Sequence, residues 1–514
     1  MGTTLDDIDD LDDIFREVGG FGIYQTILVV LRQWINLTMA GNVFLFFTLN
    51  SIQLEGVCRG GQSLAHCSNS GKCTIFSGKS GFRSFVDEMG LICERDWIPD
   101  LIKALASGTA LSLLAAGYLS DRFGRKPLVT VAYTCSLAAG TVASIATNWT
   151  LLLLSLMVCG ACVGLYNIPI SCLLMEQVSK PYRSVVASSG QWSLTYILVS
   201  ILGYLTGDWR SYLRLINLVS IPLVLILIFV VEESPRWLIQ QGRTDEAVAV
   251  FHRIAHLNMN TATLTLSEKS LEPANLPGSG GGWQIRRLLS DFSLRRLLGL
   301  LMLHSPIVTL GIAIILWNVS DLAGSPFLNI ALTGLLRLWV PVALVCGDWH
   351  LQRFGRRSLM ILCLSIISGI YLLLTGIFAL GYGEKWKLPV TVLGQAGALL
   401  LASLFSIVSD LLYAELFPTV LRTTASVSCE VTGVVATILA PYILLMGRSV
   451  WTAGPYLVIG ILSLVCLGLD LKFLPETHGK PLMESFSEVE AILTMTPKDY
   501  SSSGEDDSAA SVVE

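Results

Sequence analysis

Twelve predominantly apolar stretches recur along the chain, near 27–49, 101–119, 127–147, 150–170, 185–206, 211–231, 297–317, 327–347, 358–380, 389–412, 423–446 and 451–474. Each is long enough to cross about 30 Å of hydrocarbon as a helix of about 20 residues. The pattern predicts an all-α membrane protein with twelve transmembrane helices in two halves of six. The widest interruptions are 50–98, a loop inside the first half, and 232–296, a linker between the halves. This gives an N-terminal segment 1–26, a first half 27–231, the linker, a second half 297–474 and a tail 475–514. The run 27–49 is not expected to be a cleavable signal, because an acidic segment, Asp6 to Asp13, precedes it instead of a basic one. The Ser- and acid-rich end of the tail is expected to be disordered. Within the linker, Asp245–Leu257 has the apolar spacing of a short amphipathic helix. The run Leu276 to Gly282 then breaks structure, and a further helix over about Gln284–Leu298 leads into the second half.

Composition agrees with the pattern. Apolar residues make up 53% of 514, charged residues 14%, and the mean hydropathy is +0.63, outside the range of ordinary soluble domains. The net charge of −5 says little about partners, because the acids cluster at the two ends. No basic stripe with interleaved aromatics suggests nucleic acid, and the apolar spans make a lipid bilayer the expected surroundings. No Ser/His/Asp arrangement, metal-ligand cluster or phosphate-cradling glycine loop stands out, so neither an enzyme nor a cofactor is expected.

Basic residues set the orientation. With the N-terminus cytosolic, the inner short loops hold Arg122, Arg125, Lys126, Lys180, Arg183, Arg353, Arg356, Arg357 and Arg422. The outer ones hold only Arg210, Arg214, Lys385, Lys387 and Arg448. Both termini are therefore expected in the cytosol.

Three marks then repeat in the same order in each half. Residues 117–126 contain Asp121-Arg-Phe-Gly-Arg125-Lys, and Arg353-Phe-Gly-Arg356-Arg357 echoes them. Glu176 with Arg183 matches Glu415 with Arg422, each pair separated by six residues. Glu232-Glu233-Ser-Pro-Arg236-Trp-Leu matches Leu474-Pro-Glu476-Thr-His-Gly-Lys in place, more loosely in letters. The pattern is that of a duplicated membrane unit and resembles the major facilitator superfamily over nearly the whole chain. The resemblance implies a twelve-helix fold working by alternating access, with a monomeric transport unit. It also implies a cytosolic gate of ion pairs built from Asp121, Arg122, Arg125, Glu176, Arg183, Glu233, Arg236, Arg353, Arg356, Glu415, Arg422 and Glu476. Gly117, four residues before Asp121, permits close helix contact there. In the second half Gln352 stands in the place of Asp121 and Asp348 in that of Gly117, so one of the two latches should be weaker, or wired through Glu415 and Arg422 alone.

The loop 50–98 narrows the resemblance. It holds Cys58, Cys67, Cys73 and Cys93 and ends Glu88-x-x-Leu-Ile-Cys93-x-x-x-Trp97, with Val18-Gly-Gly-Phe-Gly-Ile-Tyr24-Gln25 ahead of the first span. These features resemble the organic cation, organic anion and carnitine transporter family of solute carriers, a plasma-membrane group. Four cysteines outside the cell suit disulfides, with three pairings open. The remaining eight lie in or near helices as apolar filling, with no spacing that makes a metal site. The loop lacks the glycosylation sequon of such relatives. Asn148-Trp-Thr and Asn318-Val-Ser face outside in this topology, whereas Asn36-Leu-Thr falls inside a span.

Ionisable residues within spans are costly, about 2.5–3.5 kcal/mol at a helix centre, which makes Arg32, Arg337, Asp410, Glu430 and His304 binding candidates. Arg337 and Glu430 lead. Each precedes by four residues a place where relatives carry a selectivity charge, Pro341 and Val434 here, and so shares nearly the same helix face. Resemblance also places Asn167 where a cavity Trp is common, beside Tyr166, and Leu310 where a Tyr is common. Fewer rings mean less cation–π attraction. One base and one acid suit a zwitterion such as an amino-acid derivative or a carnitine-like betaine, with an organic cation or anion next. Alternatives are a receptor or scaffold on a transporter fold, and a sugar porter.

Overall fold

The computed structural model describes residues 14–15, 20–51, 56–58, 73–75, 82–91, 98–99, 101–102, 105, 109–259, 290–318, 325–350, 355–380, 383–417, 419–449, 451 and 453–477. Helix α1 (Ile23–Ser51) leads to a hairpin, β1 (Gly56–Cys58) with β2 (Cys73–Ile75), and to a short helix α2 (Phe85–Met89). The first half continues with α3 (Leu113–Phe123), α4 (Arg125–Ser144), α5 (Trp149–Met175), α6 (Arg183–Ser189), α7 (Ser193–Thr206), α8 (Trp209–Val219) and α9 (Ile221–Phe229). Linker helices α10 (Pro235–Gln240) and α11 (Thr244–Leu257) follow. The second half holds α12 (Phe292–Leu301), α13 (His304–Asn318), α14 (Pro326–Arg337), α15 (Trp339–His350), α16 (Arg356–Ala379), α17 (Gly383–Leu416), α18 (Thr419–Ser449) and α19 (Gly454–Phe473). Among the described residues, ten helical stretches are long and apolar enough to cross a bilayer, each overlapping an expected span. The remaining two expected spans correspond to α1 and to a segment ending in α3. Side chains such as Leu154, Leu205, Phe229 and Leu373 stand exposed on the bundle, as lipid-facing positions require.

Four spans are each built from two helices, and the sequence explains three of the breaks. Pro222, Pro306 and Pro341 have no N–H to give the carbonyl four residues back, so the ladder parts at Ser220, at Met302–Leu303 and at Leu338. The freed Met302 carbonyl accepts instead from Thr432 Oγ1 of α18 at 2.7 Å. The fourth break, between α6 and α7, is held from outside. Asn36 of α1 donates to the carbonyls of Ser189 and Gly190 at 3.3 and 2.9 Å. That role, and the complete burial of Asn36, rule it out as a glycosylation acceptor in the folded state. Unpaired backbone groups inside a membrane cost several kcal/mol, so such side chains fix where the helices can bend.

All three repeated marks lie at one end of the bundle, the motif face. Here the loose third repeat does the same work twice. Glu233 accepts from the backbone N–H groups of Arg125 and Lys126 at 3.1 and 3.2 Å, capping α4. Glu476 accepts from those of Arg356 and Arg357 at 2.7 and 3.2 Å, capping α16. A carboxylate at a helix N-terminus satisfies orphan donors and complements the helix dipole. The glycine of each Phe-Gly-Arg run is there to admit it, since a Cβ on Gly124 or Gly355 would land on the capping oxygens. Gly124 carries a second demand, φ of 100°, which Gly355 at −72° does not.

The linker helix α11 begins with Asp245 and Glu246 in its first turn, close to the expected start. It buries Ala247, Val250, Phe251, Ile254 and Ala255, one stripe at helical spacing. Phe251 meets Phe15 edge-on at 5.1 Å, and Asn258 bonds Tyr24 N and Gln25, so α11 is fastened beneath the first half at the motif face. The stretch expected as one further helix over about Gln284–Leu298 is divided: Ser290 is helical, a bend follows at Asp291, and from Phe292 the chain belongs to α12, the first part of a span. Residues 260–289 lie outside the described residues.

Two predictions follow from this architecture. In thermal unfolding of the purified protein, Gly355→Ala costs about 1–2 kcal/mol by displacing the cap, yet adds little in a Glu476→Ala background. Gly124→Ala keeps a residual cost in a Glu233→Ala background, because its φ remains; equal additivity at both sites would contradict the account. The β1–β2 register sets Cys58 opposite Cys73. Directly opposed Cα atoms lie about 4.5–5.5 Å apart, inside the reach of a disulfide. Non-reducing peptide mapping should therefore find Cys58 joined to Cys73, and recovery of either one bridged to Cys67 or Cys93 would refute that pairing.

Candidate functional site

At the motif face the charges form one buried network that crosses between halves. Arg125, fully buried, reaches Asp121 Oδ1 at 3.2 Å and Glu176 Oε2 at 3.5 Å. The other oxygen of Glu176 accepts from Arg422 Nη1 of the second half at 3.2 Å. Asp121 Oδ2 accepts from Thr424 Oγ1, also of the second half, at 3.1 Å. Gly117 allows this approach, since a Cβ there would sit 3.1 Å from Thr424 Cα. Arg422 Nε is held by the Ala414 carbonyl at 2.8 Å. Buried charges repay their desolvation only when nearly every lone pair is used, so removing one partner is expected to cost far more than the pair contributes.

The second half repeats the arrangement with a longer pair, Arg356 Nη2 to Glu415 Oε1 at 3.7 Å, while Glu415 Oε2 accepts from Thr477 at 2.6 Å. Gln352 and Arg353 lie outside the described residues. Arg183 is buried close to Arg422, and Arg236 lies over the Phe15 ring at 5.7 Å. Arg122 departs from expectation. It is exposed, bonds Tyr118 OH at 2.5 Å and lies over the Phe123 ring, with no ion pair among the described residues. One helix turn cannot point both Asp121 and Arg122 inward, and the network takes Asp121. Thr424 joins this network without any signal in the sequence, because a neutral hydroxyl carries no charge pattern.

Directly beyond the latch lies a cavity of about 60 Å³ between the halves. Arg32, Ser171, Cys172 and Gly190 line it from the first half, and Asp410, Tyr413, Arg422 and Ser426 from the second. Arg32 is 6% exposed. Its Nη2 donates to Asn167 Oδ1 at 3.1 Å, and its Nη1 has no hydrogen-bond partner among the described residues. Asp410 attracts it across the cavity. Glu430 neighbours Asp410 and lies near Ser305.

The other binding candidates fall elsewhere. Arg337 is not brought to Glu430. It donates to Ser403 Oγ at 2.6 Å and lies over the Tyr196 ring of the first half at 5.6 Å. Neither Tyr166 nor Asn167 lines the cavity: Asn167 touches it only through its bond to Arg32, and Tyr166 meets Tyr133 edge-on at 5.5 Å inside the first half. His304 is buried against Asp470, Nε2 to Oδ1 3.2 Å, with Phe405 stacked edge-on at 5.0 Å. His304, Asp470 and Cys466 are the one trio among the described residues whose ligand-type atoms come within 4.8 Å of one another. The sequence reading found no such grouping, since its members come from opposite ends of the second half. Asn148 is exposed at the end of the bundle away from the motif face, and Asn318 closes α13 at that same end. Cys67 and Cys93 lie outside the described residues.

Comparison with known proteins agrees with this geometry. Residues 101–488 match the family model described as "Sugar (and other) transporter". A bovine relative, "Solute carrier family 22 member 7", is 30% identical over 417 residues, 78% of this chain and 72% of the relative. The "Organic cation transporter protein" of Drosophila melanogaster is 29% identical over 428 residues, 81% of this chain and 76% of its own. Among solved structures, the proton:xylose symporter XylE aligns with a TM-score of 0.63 at 16% identity, over 91% of this chain and 99% of its own. The human organic anion transporter MFSD10 aligns at 0.54 and 14%, over 87% and 99%. These neighbours share the fold alone. The chain belongs to the sugar (and other) transporter family of the major facilitator superfamily, among the solute carrier family 22 proteins, and is a multi-pass membrane transporter, not an enzyme.

Proposed function

We propose that the protein carries small organic ions by alternating access, with a zwitterion such as an amino-acid derivative or a carnitine-like betaine as the preferred solute. The observation that carries this reading is the charge arrangement of the cavity. Arg32 of the first half faces Asp410 of the second, with Glu430 next to it, and one guanidinium nitrogen of Arg32 is buried and unpartnered. A solute carboxylate would take that nitrogen, and its cationic end the carboxylates. The solute would then bridge the halves through both of its charges. The names of the relatives, organic cation transporter among them, support the organic-ion class. In the proposed setting the motif face is cytosolic, as the basic residues of that face favour, and the membrane is the plasma membrane, in keeping with the solute carrier family 22 relatives. A neutral sugar is the second reading, in keeping with the family description; it leaves the buried charges of Arg32 and Asp410 without a task.

The cavity, about 60 Å³, is far below the roughly 300 Å³ at the small end of ligand pockets. A solute therefore needs the halves to separate at one face. Charge-assisted contacts are worth about 1.5–3 kcal/mol each, so single neutralisations should weaken uptake affinity about tenfold or more. With matched cationic, anionic and zwitterionic solutes, Arg32→Gln should shift preference towards cations. Asp410→Asn and Glu430→Gln should shift it towards anions. Rescue by the exchanged pair Arg32→Asp with Asp410→Arg at unaltered preference would make the pair structural, and uptake of neutral pentoses indifferent to all three changes would favour the sugar reading.

A further inference from the structure

The end of the bundle opposite the motif face is also shut, and by different chemistry. Residues 82–91, the last part of the loop before α3, are fastened to the rim of the first half. Arg83 N donates to the Gly207 carbonyl at 2.9 Å, and Trp209 N donates to the Arg83 carbonyl at 3.2 Å. Glu88 on α2 accepts from Trp209 Nε1 at 2.9 Å and from Arg210 Nε at 2.8 Å. Arg210 also donates to the carbonyls of Ser144 and Ala146 at the end of α4, at 2.9 and 2.6 Å. Every one of these partners belongs to the first half, so the segment must move with it.

From that fastened segment Phe82 projects across to the second half. Its ring meets Phe327, in the first turn of α14, edge-to-face at 5.4 Å and 66°. Phe327 in turn lies on Gly203 near the end of α7, where a Cβ would come within 2.7 Å of the ring. Phe82, Phe327, Ile330 and Tyr196 belong to one buried apolar cluster together with Phe85 and Trp209. One turn or two deeper, Gly334 of α14 lets the same two helices touch, its absent Cβ leaving room for the Ser193 carbonyl. Among the described residues no ion pair joins the halves along this seam. It is held by ring packing and by two glycines, and at its deeper end Arg337 of α14 lies over the Tyr196 ring of α7.

We infer that Phe82, Phe327 and Gly203 form the outer gate of the transport cycle, with segment 82–91 as a strap that the first half carries over the mouth. The inner latch is ionic and the outer gate is apolar, so the two can be weakened separately. The inference rests on the alternating-access reading and is independent of which solute is carried. Opening towards the motif-opposite side must pull Phe327 off Gly203 and away from Phe82. The Glu88–Arg210 fastening stays whole during this step.

The test joins the gate covalently. In Phe82→Cys with Phe327→Cys, an oxidised cross-link should abolish uptake and reductant should restore it. Cys172, which lines the cavity, is read in parallel by peptide-resolved alkylation with impermeant reagent from each side of sealed vesicles. The cross-link should block labelling from the motif-opposite side and leave motif-face labelling intact. This arm needs no solute, so it separates failure of the gate from failure of the zwitterion reading. The conservative variants Phe82→Leu and Phe327→Leu, which keep most of the buried volume, should raise labelling from the motif-opposite side several-fold. A cross-linked protein that labels and transports like its reduced form would overturn the gate. So would Leu variants whose labelling matches the parent.

Discussion

The carboxylate of Glu176 ties the two halves together at the motif face. It is fully buried and divided between Arg125 of its own half and Arg422 of the other. A charge in that setting cannot be left with one partner cheaply. Everything around it serves to hold those partners in place. Glu233 caps the helix that starts at Arg125, Gly124 makes room for that cap, and the Ala414 carbonyl orients Arg422. Gly117 brings α3 close enough to α18 for Asp121 to reach Thr424. Separation at this face would therefore have to break several coupled contacts at once.

The cavity shares a residue with the latch. Arg422 both binds Glu176 and lines the space that Arg32 and Asp410 face. A charged solute entering beside Arg422 would be sensed electrostatically by the latch without direct contact with Glu176. At the far end the seam is apolar and relies on shape, Phe327 against Gly203 and Gly334 against Ser193. The two closures answer to different physical forces. Salt screens exposed charges strongly but buried or apolar contacts little, so neither seam depends on the surrounding ionic strength.

The sequence made the spans legible because membrane helices must be long and apolar, and the halves legible because the motifs repeat. Even the loose third repeat held its one essential atom group, since Glu233 and Glu476 cap equivalent helices despite differing neighbours. The binding site was less legible. Arg337 had been placed by helix phase from Pro341, but that proline breaks the helix at Leu338, so the phase does not carry through. Tyr166 and Asn167 are adjacent and point about 100° apart on one helix, so only Asn167 reaches Arg32. His304 found its partner Asp470 on the last helix, a contact no local pattern encodes. Arg32 and Asp410 stand behind Arg337 and Glu430 as sequence candidates, yet the structure sets these two around one cavity.

The coupling of Glu176 to Arg422 can be measured without any solute. Hydrogen–deuterium exchange of the backbone over 176–183 and 415–422 reports opening of the motif face in Glu176→Gln, Arg422→Gln and the double variant. The latch predicts that each single change speeds exchange in both segments and that the double change adds little beyond either one. Exchange that stays at the parental rate, or that rises additively in segments belonging to one half only, would contradict it.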